Sequence, residues 1–130
     1  MDPFTVDISR FIGKCKANAD ILVRKTGIAL YQGVTTRNPV APHNGGRSRA
    51  NWRPAVNDID LTTDENIKLD ATRAMVTFTG ANSGDELNIS NNLPYVERLE
   101  NGYSRQAPQG MVRITVQDVK EKLERGEIKA

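Results

Sequence analysis

Two apolar stripes of helical period, one towards each end of the chain, set the first limit on what it can fold into. Near the N-terminus Ile8, Phe11, Ile12, Cys15, Ala19, Leu22, Val23 and Leu30 recur mostly three and four residues apart, which places them on one helical face. The spacing predicts a helix from Asp7 to about Gly33, with Asp7 as N-cap and Gly33 as the stop. Such a helix would be roughly 40 Å long at about 1.5 Å per residue. Gly13 and Gly27 weaken it by about 1 kcal/mol each relative to alanine, and Gly27 is where a break would fall. Near the C-terminus Val112, Val116, Val119 and Leu123 make a second stripe ended by Gly126. Its opposite face carries Lys120, Glu121, Glu124 and Arg125, an ordinary solvated surface.

Between the stripes the pattern is broken. Residues 37–51 read as a long Gly/Pro/Arg loop, because two prolines and an Asn-Gly-Gly run deny them either regular period. Residues 52–59 suit a strand with Pro54 at an edge. Thr62, Thr63 and Asp64 offer caps for a helix over about 64–75, yet Val76 and Phe78 alternate with threonines as a strand would. Residues 85–90 alternate through Leu87 and Ile89 and read as a short strand. Asn92 can cap a further helix with Pro94 in its first turn, stopped by Asn101-Gly102. No internal repeat is visible. The expected fold is α+β: one domain over residues 1–130, with a long N-terminal helix and a C-terminal helix packed on a small antiparallel sheet.

Composition excludes several functions. The 130 residues carry 18 Lys+Arg against 16 Asp+Glu, a net charge of +2, a balance that gives no electrostatic mandate for binding nucleic acid, where a clustered basic surface is expected. His43 and Cys15 are the sole histidine and cysteine, so one chain can build neither a His/Cys zinc set nor an intrachain disulfide. His43 reads as a solvated loop residue, and the paired carboxylates Asp58/Asp60 and Asp64/Glu65 as caps and surface charge. The run from His43 to Arg49 lacks the Lys-Ser/Thr pair of a phosphate-binding loop. No catalytic residue, cofactor or metal is expected, and the chain is not expected to be an enzyme. The N-terminus lacks the pattern of a signal peptide, and no apolar run approaches the roughly 20 residues of a membrane span. A soluble, cytosolic protein with no membrane partner is the expectation.

Two stretches suit contact with other molecules. Arg37, Arg47, Arg49 and Arg53, with Trp52 among them, lie in or beside the long loop. Guanidinium groups favour phosphate or carboxylate partners, which leaves solvation, pairing with a neighbouring chain and DNA contact all open. The second stretch, residues 91–113, bears Tyr95, Tyr103, Pro108 and Met111 among turn residues. Such side chains are enriched at protein interfaces, but a loop packed on its own core would look the same.

The second stretch resembles the signature of the tail-completion, or head-to-tail joining, proteins of long-tailed bacteriophages. That pattern is approximately Asn-x-x-Pro-Tyr-(Ala or Val)-x-x-Leu-Glu-x-Gly-x-Ser-x-Gln-Ala-Pro-x-Gly-Met. It falls here on Asn91 or Asn92, then Pro94, Tyr95, Val96, Leu99, Glu100, Gly102, Ser104, Gln106, Ala107, Pro108, Gly110 and Met111. A weaker upstream likeness runs through Pro39-Val40, Gly46-Arg47-Ser48-Arg49 and Trp52, in a loop two residues longer and without the family's Asp-Thr pair.

The resemblance implies a virion structural protein: a tail-terminator-like ring, commonly of six copies, at the head–tail junction. It would complete the tail, bind the head-completion (neck) protein and the tail tube or its terminator protein, and let double-stranded DNA through its lumen. The resemblance makes the cytosol that of the host, during assembly. A ring of one chain needs two different complementary patches. On this reading Asn92, Pro94, Tyr95, Glu100, Gly102, Tyr103, Ser104, Gln106, Pro108, Gly110 and Met111 supply one patch. Arg37, Arg47, Arg49, Trp52 and Arg53 belong to another contact or face DNA, with Glu100 pairing to Arg47 or Arg49 of the next subunit. The alternative function is a small accessory module that holds DNA phosphates with loop 37–53.

Overall fold

The computed structural model describes residues 4–7, 19–39, 46–94, 96–101 and 110–129, without the side chains of 4–7, 98 and 99. Its elements are β1 (Phe4–Asp7), α1 (Ala19–Arg37), α2 (Arg47–Ala50), β2 (Arg53–Val56), α3 (Arg73–Phe78), β3 (Leu87–Asn91), α4 (Val96–Glu100) and α5 (Val112–Glu124). The strands form an antiparallel sheet in the order β1-β3-β2. Val6 and Pro54 both lie opposite Ile89 in the register. The class is α+β, as the sequence implies.

Helix α1 is the spine, and it runs further towards the C-terminus than its periodicity suggests. Asp7 is not a helix cap; it ends β1, opposite Asn88. Residues 8–18, with Ile8, Phe11, Ile12, Gly13 and Cys15, lie outside the described residues. Neither Gly27 nor Gly33 interrupts α1, which continues to Arg37. Both mark close approaches instead. A Cβ on Gly27 would meet the Phe78 ring of α3 at 2.8 Å, and one on Gly33 would run into the Thr115 side chain of α5. The six-residue separation turns the two glycines to different sides of the helix, so α1 is flanked by α3 on one side and α5 on another. Gly33→Ala should therefore destabilise the fold by about 1–3 kcal/mol, the usual cost of overpacking, despite alanine's better helix propensity. Thr115→Ala in the same chain should recover most of the loss, a result read from urea unfolding midpoints.

One face of β3 builds the core. Leu87 and Ile89 pack with Leu30, Tyr31, Val34, Trp52, Phe78, Met111 and Val119 in one continuous buried cluster. The opposite face is polar and holds a strap of residues 57–72. Asn88 Nδ2 donates to the Asp58 carbonyl at 2.9 Å, Ser90 Oγ to that of Asp60 at 2.9 Å, and Asn92 Nδ2 to that of Leu61 at 3.3 Å. Alternate residues of one strand thus fix an extended segment across the sheet.

The helix expected over 64–75 is absent. Asp60, Asp64, Asn66 and Asp70 each accept the backbone N–H two residues on, from Thr62, Asn66, Lys68 and Thr72. Such side-chain turns compete with the helical ladder for the same N–H groups, and repeated this often they replace it. Helix follows only at Arg73, so the Val/Thr/Phe alternation of 76–78 is helical and not a strand. Ala74 and Phe78, four apart, face the core. Strand β2 is an edge strand with Pro54 inside it, as expected. The long loop is partly helical through α2, and residues 40–45 are outside the described residues. The C-terminal helix stands where its stripe puts it, with Val112, Thr115 and Val119 buried.

Candidate functional site

The phage-like run is anchored by a buried carboxylate. Glu100 ends α4 and is 5% exposed. Its Oε1 accepts the backbone N–H groups of Met111 at 2.7 Å and Val112 at 2.8 Å, and its Oε2 accepts that of Arg113 at 3.0 Å. These are the donors that the first turn of α5 leaves without helical partners, and the helix dipole favours an anion there. Arg113 completes the clamp: Nη2 donates to the Glu100 carbonyl at 2.8 Å, and Nε lies 3.5 Å from Oε2.

The neighbouring residues follow from that clamp. Gly110 sits at φ +85, and a Cβ there would collide with the carbonyl and carboxylate of Glu100. Both the backbone conformation and the space demand glycine. Met111 is fully buried in the core. Upstream, Asn91 Nδ2 donates to the Ser48 carbonyl at 2.9 Å, and its Oδ1 accepts the Leu93 N–H at 3.1 Å. Asn92 is turned to the strap rather than capping α4.

This placement corrects several sequence expectations. Glu100, Gly110 and Met111 serve the interior of their own chain, and Glu100 is not available to an arginine of another subunit. Asn92 is partly exposed and Pro94 exposed at the surface. Tyr95, Gly102, Tyr103, Ser104, Gln106 and Pro108 lie outside the described residues. Glu100 and Gly110, ten residues apart in the chain, lie in direct contact.

The arginine group is also largely internal. Trp52 is fully buried, its Nε1 donating to Asn38 Oδ1 at 2.8 Å. That oxygen also accepts from Ser48 Oγ at 3.2 Å, while Asn38 Nδ2 donates to the Pro39 carbonyl. Arg53, 7% exposed, donates to the Thr62 carbonyl and Asn51 Oδ1 and pairs with Asp64 at 3.0 Å. Neither Trp52 nor Arg53 forms a DNA-facing surface. Arg37 bonds Thr115 Oγ1 and lies 3.5 Å from Asp118. Arg47 donates to the Asp64 carbonyl and pairs with Glu65 at 3.1 Å. Arg49 alone of this group makes no hydrogen bond or ion pair with the described residues, although its Nε is buried.

The strap is the surface that sequence reading missed. Ile59, Leu61 and Ile67 are 40%, 50% and 54% exposed along it, interleaved with Asp58, Asp60, Asp64, Glu65 and Asp70. The N–H of Asn66, then Arg53, hold the Asp64 carboxyl below its ordinary value. The Thr72 hydroxyl and N–H do the same for Asp70. Burial pushes Asp60 up, but the Thr62 hydroxyl and N–H outweigh it and the net shift is downward. The strap is therefore anionic across the neutral range. The alternation of Asn88, Ser90 and Asn92 was its sequence signal, since amide and hydroxyl side chains on the face opposite Leu87 and Ile89 imply polar groups for them to bind.

No family model, curated protein or solved structure matches the chain. Among the described residues no His/Cys/Asp/Glu group could hold a metal ion, and no helix is long and apolar enough to cross a membrane.

Proposed function

We propose that this chain is a structural subunit of the head–tail junction of a long-tailed phage. It forms a ring, of six copies by analogy, that completes or terminates the tail and joins it to the head-completion protein, with the genome passing through the lumen. The observation that carries this reading is the run from Asn91 to Met111, which follows the tail-completion pattern in register. The fold supplies a physical reason for several of its positions: Glu100 caps α5, Gly110 lies against it, Met111 enters the core, and Asn91 ties β3 to α2.

The alternative, a DNA-binding module, has less to rest on. Arg37, Arg47 and Arg53 are paired with Asp118, Glu65 and Asp64. One remaining guanidinium would neutralise about one phosphate, far short of the roughly 6–10 contacts behind strong salt-dependent binding. The test combines sedimentation of the purified protein, electron imaging with isolated phage tails and neck protein, and gel-shift titration on duplex DNA across salt. Rings, alone or seated on tails, with little DNA affinity at physiological salt are expected. A chain that stays monomeric beside tails and neck protein, yet shifts DNA in a steeply salt-dependent way, would reverse the order of the two readings.

A further inference from the structure

We propose that the strap of residues 57–72, with the outer side of α3, is the docking surface for a segment of a different protein, one that carries lysine or arginine together with apolar side chains. Taking the partner to be a protein rests on the joining reading above; the partner's chemistry does not.

Apolar exposure singles the region out. Seven large apolar side chains are exposed among the described residues, and five of them, Ile59, Leu61, Ile67, Met75 and Val76, lie on the strap or on α3 just after it. Such residues scattered singly need no explanation, but this many in one stretch point to a contact. Helix α3 buries only Ala74 and Phe78, which leaves Met75 and Val76 outward at 54% and 72% exposed.

A loose loop would not explain this exposure, because the strap is held along its length. Besides the three bonds from β3, Arg53 Nε donates to the Thr62 carbonyl at 3.1 Å, Asn51 Nδ2 to that of Asp64 at 3.2 Å, and the Tyr31 hydroxyl to that of Asp70 at 3.0 Å. The Asp64 N–H donates back to Asn51 Oδ1 at 2.9 Å. With its backbone so fixed, the strap keeps Ile59, Leu61 and Ile67 in water, and it loses little freedom when a partner covers them.

Charge selects the partner. Residues 57–72 carry five carboxylates against one lysine, a net charge of −4 in a chain of net +2. Arg53 and Arg47 answer Asp64 and Glu65. Asp58, Asp60 and Asp70 have no ion pair among the described residues and accept from Ile59, Thr62 and Thr72 close by. A surface of this sign repels nucleic acid and attracts a cation, and its apolar side chains are covered only by a partner that brings apolar groups as well. A second copy supplies little of that chemistry. Among the described residues Arg37 and Lys122 are taken up by Asp118, Arg125 by Glu127, and Arg73 by the Ala50 and Trp52 carbonyls.

The probe is a labelled peptide of about ten residues alternating lysine and valine, whose two sides carry the two chemistries when extended. Its binding to the full-length chain is read by fluorescence anisotropy. At physiological ionic strength it should bind about tenfold more tightly than a lysine/serine or a glutamate/valine peptide of the same length. Asp58→Asn with Asp60→Asn removes charge but keeps acceptors for the Ile59 and Thr62 N–H groups. That pair, and Ile59→Asn with Leu61→Asn, should each weaken binding about tenfold. Glu121→Gln with Glu124→Gln, on the solvated side of α5, should leave it unchanged. The two strap pairs attack the surface by different chemistry, so a folding defect in one leaves the other to decide. Absence of binding, equal affinity for the lysine/serine peptide, or an equal loss in the α5 pair overturns the docking surface. So does a finding that the strap pairs weaken self-association instead, since the surface then joins copies of this chain. Because the peptide is read on the isolated chain, failure here leaves the ring standing, and an absence of rings leaves the peptide result intact.

Discussion

Glu100→Ala should cost the fold about 3–5 kcal/mol, the combined and overlapping loss of several charge-assisted hydrogen bonds to backbone donors. The cause is specific. Backbone N–H groups of Met111, Val112 and Arg113 lose their acceptor together, and the first two are buried, out of reach of water. Each hydrogen bond to a charged group contributes about 1.5–3 kcal/mol, and the effects overlap because one side chain makes all of them. Glu100→Gln keeps the shape but offers one acceptor oxygen and turns an amide donor towards N–H groups, so an intermediate loss is expected. The decisive variant exchanges the charges, Glu100→Arg with Arg113→Glu. If Glu100 were chiefly half of a side-chain ion pair, the exchange would restore stability. Since its main partners are backbone donors, the exchanged chain should remain as unstable as Glu100→Arg alone. Urea unfolding of the monomer separates the two outcomes.

Trp52→Ala should be of similar severity, about 3–5 kcal/mol, as for large aromatic residues deleted from cores. Trp52 is fully buried, and its indole N–H joins Asn38 to the β2 end of the sheet. The neighbouring carbonyls of Ala50 and Trp52 are held by Arg73 Nη1 at 3.1 and 3.2 Å, so a cavity here also loosens α3. Trp52→Phe should lose less, about 1–3 kcal/mol, because Asn38 Oδ1 keeps the Ser48 hydroxyl and only the indole bond and part of the ring are gone. A tryptophan set in a contact surface would behave otherwise: monomer stability would hold within about 0.5 kcal/mol and association alone would suffer. Finding that second pattern would overturn the placement of Trp52 in the core.

What the sequence disclosed, and what it hid, follows from how local each signal was. The α5 stripe, the Leu87/Ile89 alternation and the edge proline of β2 are local patterns, and all three elements are present. The helix expected over 64–75 rested on cap residues, and caps used repeatedly become turns; one Asp before an apolar run starts a helix, while Asp60, Asp64, Asn66 and Asp70 in succession prevent one. Gly27 and Gly33 were read by their intrinsic propensity, whereas their role is set by Phe78 and Thr115, residues about 50 and 80 positions away. Glu100 illustrates the same limit in the site. Its presence in a recognisable run was plain, but nothing local says that its carboxylate turns inward to a helix that begins a dozen residues later. The arginines were misread for the converse reason, because their partners Asp64, Glu65 and Asp118 look like ordinary surface acids in the sequence.

The clamp joining Glu100 to Gly110 has an evolutionary corollary. Glu100 and Gly110 touch, so the entropic penalty of joining them grows only slowly as the chain between them lengthens, by about 0.6 kcal/mol per doubling, and insertions there cost little to fix as long as the two clamp residues stay.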